Sequence, residues 1–141
     1  MLDSQKQEQA NKMKKSLKDL PLEQAFKIEL SNARFDYMQI KKGAKYDHYF
    51  DQQAASCETP SQSKIVRLAQ EIADLSNSLP CDPTNAMFCR VDKERVDMMK
   101  VCVMGAQGTP YAHGAFIFDL FFPADYPTSP PKCQLITTGG D

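Results

Sequence analysis

Seven side chains in this sequence are of the types that do nucleophilic or proton-transfer chemistry near neutral pH: Cys57, Cys81, Cys89, Cys102 and Cys133, with His48 and His113. A zinc site draws its ligands from closely spaced pairs, and no two of these cysteines stand in a CxxC spacing. Hydrolytic chemistry lacks its usual signs, since there is no GxSxG, no HExxH and no glycine-rich phosphate loop. Two histidines without such context do not make a triad. Cys133 is the thiol worth testing as a nucleophile, because it follows Lys132 and a neighbouring cation lowers a thiol pKa. Against that, Cys133, Leu135 and Thr137 alternate onto one strand face, so the expectation is a buried structural thiol. His113 precedes Gly114 in a turn and reads as surface, and His48, between Asp47 and Tyr49, reads as packing or surface. No metal and no cofactor is expected.

The sequence specifies its scaffold more strongly than any reactive group. The run from Thr109 to Lys132 carries five of the nine prolines and the longest strand signal. Phe116, Phe118, Leu120 and Phe122 repeat at period two and share one face; Ala115, Ile117, Asp119 and Phe121 take the other. Pro123 has no N–H for a ladder and stops the strand. The following PADYPTSPPK must run extended, because each residue before a proline is pushed out of the helical region. Its Pro127-to-Pro130 PxxP reads as a fixed loop between strands rather than a peptide ligand.

Upstream, Ile65, Leu68, Ile72, Leu75 and Leu79 form a helical stripe that Ser61 or Ser63 can cap and Pro80 ends. Strand patterns follow at 86–91 and 98–105, then the Phe-rich strand, then 133–138. The fold class is therefore α+β: one amphipathic helix followed by a four-stranded antiparallel meander. Before it, residues 4–20 read as a helix with a basic side. Phe26, Ile28 and Leu30 alternate, as do Phe35 and Tyr37, which allows a hairpin within 22–50 turning at Gly43. The polar, small stretch 51–63 reads as a linker. Two segments result: an N-terminal helical and irregular part with linker over 1–62, and a domain over 63–141.

Composition sets outer bounds. Apolar residues at 42% and charged residues at 25% describe a globular chain with a core. A net charge of -1 gives no general case for nucleic acid or an anionic membrane. Residues 1–45 hold ten Lys/Arg against six Asp/Glu, and 46–141 hold seven against twelve, so the two segments differ in character. No apolar run is long enough to span a bilayer. The absence of a signal-peptide pattern and the unpaired cysteines make the cytoplasm the expected compartment.

Three motifs in order carry a family likeness: RLAQEIADL on the helix, GAQGTPYAHG, and FPADYPTSPPK. Together they resemble the front half of the ubiquitin-conjugating fold. The matching positions are Arg67, Leu68, Glu71, Ile72 and Leu75; Gly105, Thr109, Pro110, Tyr111 and Gly114; and Phe122, Pro123, Tyr126, Pro127, Pro130, Pro131 and Lys132. RLAQE, LSNSLP, VDKERVDMMKV and TTGG look like the giant, inhibitor-of-apoptosis branch of that family. The resemblance implies ubiquitin, the ubiquitin-activating enzyme and substrate proteins as partners, with no nucleic acid. It implies ubiquitin carried as a cysteine thioester and passed to lysine. It places the nucleophile and an oxyanion-stabilising asparagine after the fourth strand, and none of the five cysteines matches that nucleophile. The expectation is thus the N-terminal part of such a domain, inactive alone, with no catalytic residue of its own. The alternative is a non-catalytic variant acting as a ubiquitin- or partner-binding module. The resemblance further implies contacts to the activating enzyme at Lys64 and Arg67, and a ligase-contact loop at Pro127, Thr128 and Ser129. Gln70 and Val66 stand where lysines are usual, and Thr128 where a large apolar residue is usual. Part of the Phe-rich sheet is expected to lie uncovered.

Overall fold

A computed structural model describes residues 2–57 and 60–137. In chain order the elements are α1 (Leu2–Leu17), α2 (Leu22–Leu30), β1 (Phe35–Met38), β2 (Lys41–Lys42), β3 (Lys45–Tyr46), α3 (Asp51–Ser56), α4 (Gln62–Ser78), β4 (Cys81–Asp82), β5 (Asn85–Asp92), β6 (Met98–Met104), β7 (Ala115–Phe121) and β8 (Lys132–Leu135). The class is α+β, as the periodicities imply.

The expected meander is present as β5-β6-β7-β8, but it is part of a larger mixed sheet. β1 runs parallel to β5 at one edge, and β4 pairs with the start of β5, making six strands. Phe35 and Tyr37 do alternate as a strand, yet their partners are Cys89 and Val91, 54 residues away in sequence, rather than a local hairpin. The turn at Gly43 does form, with φ +63 between the two-residue strands β2 and β3. A glycine tolerates that left-handed backbone without a Cβ clash.

Two expectations are corrected here. Phe26, Ile28 and Leu30 lie on helix α2, because a short apolar alternation is also compatible with part of a helical stripe. The stretch 51–63 is no simple linker, since Asp51–Ser56 forms α3 with Ala54 completely buried. The small side chain of Ala54 lets α3 lie close against the sheet. Thr138 and the terminal GGD lie outside the described residues.

The register sorts the strand residues into two faces. Met87, Cys89 and Val91 stand beside Val103, Val101 and Met99, which stand beside Phe116, Phe118 and Leu120, with Leu135 and Cys133 next. This face receives α4, whose Leu68 and Ile72 join Leu79, Cys89, Val91, Met99, Phe122 and Tyr126 in the main core. The opposite face carries Arg90, Lys100, Cys102, Ile117, Asp119 and Phe121. There the segment leading into α3 packs Phe50 and Ala54 against Met98 and Phe121 in a second core.

Candidate functional site

The resemblance points to two surfaces, the start of α4 and the proline loop, and the structure joins them. α4 begins where the Ser61 hydroxyl accepts the Lys64 N–H, choosing Ser61 over Ser63 as the cap. One turn on, Arg67 is about half exposed, and its Nε donates to Glu71 at 3.0 Å across the i,i+4 spacing. The other Glu71 oxygen accepts the Tyr126 hydroxyl from the proline loop. Burial, and then this hydrogen bond, raise the Tyr126 pKa, so the phenol stays a donor. Tyr126 also packs edge-to-face on Phe122, with ring centroids 4.8 Å apart. Inside the loop, Thr128 N–H donates to Asp125 C=O at 2.8 Å, and the Ser129 hydroxyl donates to the Asp125 carboxylate. The Tyr126–Pro127 bond is cis. Pro127 and Thr128 are exposed at the tip and Ser129 is half-buried. The Glu71–Tyr126 link was missed from sequence, although both residues stand in the motifs that carry the likeness.

Lys64 has a different place from the one the resemblance implies. Its side chain is 1% exposed, and its Nζ donates to Asp97 at 2.9 Å. Its charge is turned inward, over the Phe121 ring at 5.6 Å, and does not reach the surface beside Arg67. A lysine one turn before an exposed arginine gives no sign in the sequence of which way it points.

Cys81 and Cys89 are buried, and Cys57 and Cys102 are half-buried. Burial pushes Cys89 up to about 11 despite Arg90 nearby, and raises Cys102 as well. Cys133 is exposed, which corrects the expectation of a buried thiol: its strand face is apolar, but nothing described lies over it. Partial burial and the Asp119 charge still raise its pKa, so the adjacent Lys132 does not activate it. His48 is a packing residue. Its Nδ1 accepts the Phe50 N–H at 3.2 Å, which leaves Nε2–H to donate to Met99 C=O at 3.0 Å. His113 sits in the 105–114 turn at φ 66. Gly105 in that turn leaves room for the Tyr111 carbonyl, with which a Cβ would collide. Among the described residues no group of three His, Cys, Asp or Glu could hold a metal ion, and no helix is long and apolar enough to cross a membrane.

Beyond the reach of α4 the Phe-rich face is open. A hollow of about 380 Å³ is lined by Leu75, Met87, Val101, Phe118, Leu120 and Cys133 among others, and a neighbouring one of about 500 Å³ by Val103, Tyr111, Phe116, Phe118 and Leu135 among others. The two share Val103 and Phe118 and form one continuous apolar patch.

Comparison with known proteins agrees with this architecture. The family model described as ubiquitin-conjugating enzyme matches residues 67–139, from the exposed face of α4 past β8. The human dual E2 ubiquitin-conjugating enzyme/E3 ubiquitin-protein ligase BIRC6 is 41% identical over 127 residues, covering 84% of this chain and 3% of that protein. The Caenorhabditis elegans probable ubiquitin-conjugating enzyme protein 17 is 49% identical over 78 residues, 55% of this chain and 11% of its own length. The Arabidopsis thaliana probable ubiquitin-conjugating enzyme E2 25 is 36% identical over 95 residues, 67% of this chain and 16% of its own length. The chain thus spans a small part of each relative. At 84% of 141 residues, the likeness to BIRC6 also exceeds the length of 63–141 and runs into the segment before Ser63. With the helix, meander and proline loop in place and the family model matched over more than half of its length, the chain belongs to the ubiquitin-conjugating enzyme family.

Proposed function

We propose that this chain supplies the scaffold part of a ubiquitin-conjugating domain that carries ubiquitin as a cysteine thioester and passes it to lysine. The observation that carries this reading is the Arg67–Glu71–Tyr126 link, which fixes the exposed face of α4 to the proline loop. In this reading Arg67 faces the ubiquitin-activating enzyme, and Pro127, Thr128 and Ser129 face a ligase. Lys64 serves from inside, by fixing the first turn of α4. Ubiquitin and substrate proteins are the further partners, in the cytoplasm. In this reading none of the five cysteines is the thioester carrier, because none matches the position at which the family carries its nucleophile. The open Phe-rich face is the seat of the catalytic half of the domain.

The test is incubation with ubiquitin, activating enzyme and ATP, read on a non-reducing gel. No thiol-sensitive adduct is expected from this chain. A reducible band that disappears on Cys133→Ser would overturn the assignment of Cys133 as a bystander.

The continuous patch through Val103 and Phe118 also favours a second reading, a non-catalytic module that binds ubiquitin or another partner there. NMR titration with ubiquitin separates the two. Saturable shifts confined to Phe116, Phe118 and Leu135 would move the assignment to the second reading.

A further inference from the structure

Lys64, Asp97 and Arg95 form a buried charge cluster outside the surfaces just described. Lys64 and Asp97 are each 1% exposed. Asp97 receives three hydrogen bonds: Lys64 Nζ to Oδ2 at 2.9 Å, Arg95 Nη2 to Oδ2 at 2.9 Å, and Arg95 Nε to Oδ1 at 3.0 Å. A planar guanidinium in this two-pronged arrangement has a fixed orientation. Its remaining nitrogen, Nη1, donates to the Ala54 carbonyl. Ala54 is in the last turn of α3, where backbone carbonyls have no partner inside the helix and the helix dipole favours a cation. The cluster therefore begins on the main chain of α3 and ends on the first turn of α4.

Other contacts also hold α3 and its approach against the sheet. Phe50 stacks on Phe121, His48 reaches the Met99 carbonyl, and Tyr49 N–H donates to Asp119 at 2.8 Å. Phe50 makes no hydrogen bond to Arg95, Asp97 or Lys64, but the Phe121 ring on which it stacks also lies under Lys64 Nζ at 5.6 Å, so additive effects of Phe50 and Arg95 variants would mean that Phe50 acts through that ring instead.

We propose that docking of α3 sets the first turn of α4, through the series Ala54 C=O, Arg95, Asp97, Lys64, and thereby orients Arg67. Arg95, Asp97 and Lys64 are positioning residues: a buried Lys64 ammonium must stay beside its counter-charge, and that counter-charge is aimed by an arginine seated on α3. The assignment of what Arg67 meets rests on the reading of α4 as the activating-enzyme face.

The test is amide hydrogen exchange on the full chain, resolved by residue, with Phe50→Ala and Arg95→Met. Each is expected to speed exchange of residues 64–66 at least tenfold while residues 73–78 of α4 and strands β5 to β7 stay within about twofold. The two effects should be less than additive in the double variant, because both act through one link. Lys64→Arg, which keeps the charge, should stay closer to wild type than Lys64→Met. Faster exchange confined to 46–57, or spread evenly along α4, overturns the proposal. If Phe50→Ala does not fold, Phe50→Leu is read by the same criteria. Affinity for the ubiquitin-activating enzyme, with Arg67→Glu as the direct control, separates the two layers. If the positioning variants loosen residues 64–66 while Arg67→Glu leaves affinity unchanged, or wild type shows no affinity, the coupling stands and the reading of Arg67 falls. If Arg67→Glu weakens binding tenfold while the positioning variants change neither exchange nor affinity, the coupling falls and the reading of Arg67 stands.

Discussion

On one face of the sheet, α4 covers Cys89, Val91 and Met99 and then leaves Val101, Val103, Phe116 and Phe118 half-covered. On the other, a segment more than forty residues upstream of β6 closes over Met98, Asp119 and Phe121. The open face is almost wholly apolar, whereas the closed face carries charge. The difference lies in how each kind of surface is satisfied. A buried carboxylate needs specific donors, and the chain brings them: Asp119 takes the Tyr49 N–H and Lys100, Asp92 takes the Ile40 N–H at 2.9 Å, and Asp97 takes Arg95 and Lys64. Apolar surface asks only for removal from water and does not specify its cover. The polar face thus identifies its own occupant, while the apolar face carries no such mark of one.

Substitutions at matched positions can break or sharpen this contrast. The largest effect is expected at Phe121, which is 1% exposed: Phe121→Ala should cost about 4 kcal/mol in urea denaturation. Asp97→Asn should cost about 3 kcal/mol at neutral pH, because it leaves Lys64 without a full counter-charge. Its pH dependence has a definite sign. Burial alone would raise the Asp97 pKa, but hydrogen bonds from Arg95 and Lys64 outweigh that and hold it below its ordinary 3.8. The stabilisation is therefore fully present above that value and disappears as pH falls through the lower folded one. Wild type and Asp97→Asn should converge there in an acid titration of stability. A difference that instead closes near neutrality would contradict the ion-pair account.

Smaller effects follow. Gly105→Ala should cost about 2 kcal/mol by forcing the 105–114 turn off the Tyr111 carbonyl. Tyr126→Phe removes the hydroxyl bonded to Glu71 and should cost about 1 kcal/mol. It should also speed amide exchange in the proline loop more than in β7. The smallest change is expected at Phe118, on the open face. Phe118→Ser should cost below about 1 kcal/mol and reduce binding of a hydrophobic dye. A cost for Phe118→Ser equal to that for Phe121→Ala would mean that the two faces are equally covered, and would remove the contrast.

Much of the scaffold was legible in the sequence, for a physical reason that also marks its limit. The α4 stripe from Ile65 to Leu79 and the alternation from Phe116 to Phe122 are local periodicities that backbone geometry forces onto one side of a helix or strand. The proline loop and the three glycines of the 105–114 turn are equally local, because each residue acts on its own backbone. Phe26, Ile28 and Leu30 were misread because three alternating residues are too few to separate a strand from a helix. The apolar periodicity at Cys133 and Leu135 gave the right face of the sheet but not whether anything lay over it. Cys133 was therefore expected inside and is found exposed.

The sequence by itself determined the family and the order of α4 and the meander, since each of these rests on neighbours within a few residues. Only the tertiary structure decided which way Lys64 points, that β1 joins β5 in parallel, and that α3 is seated by Arg95. These depend on pairings between residues 33 to 54 positions apart. A charge or an N–H carries no mark of its distant partner until the chain brings the two together.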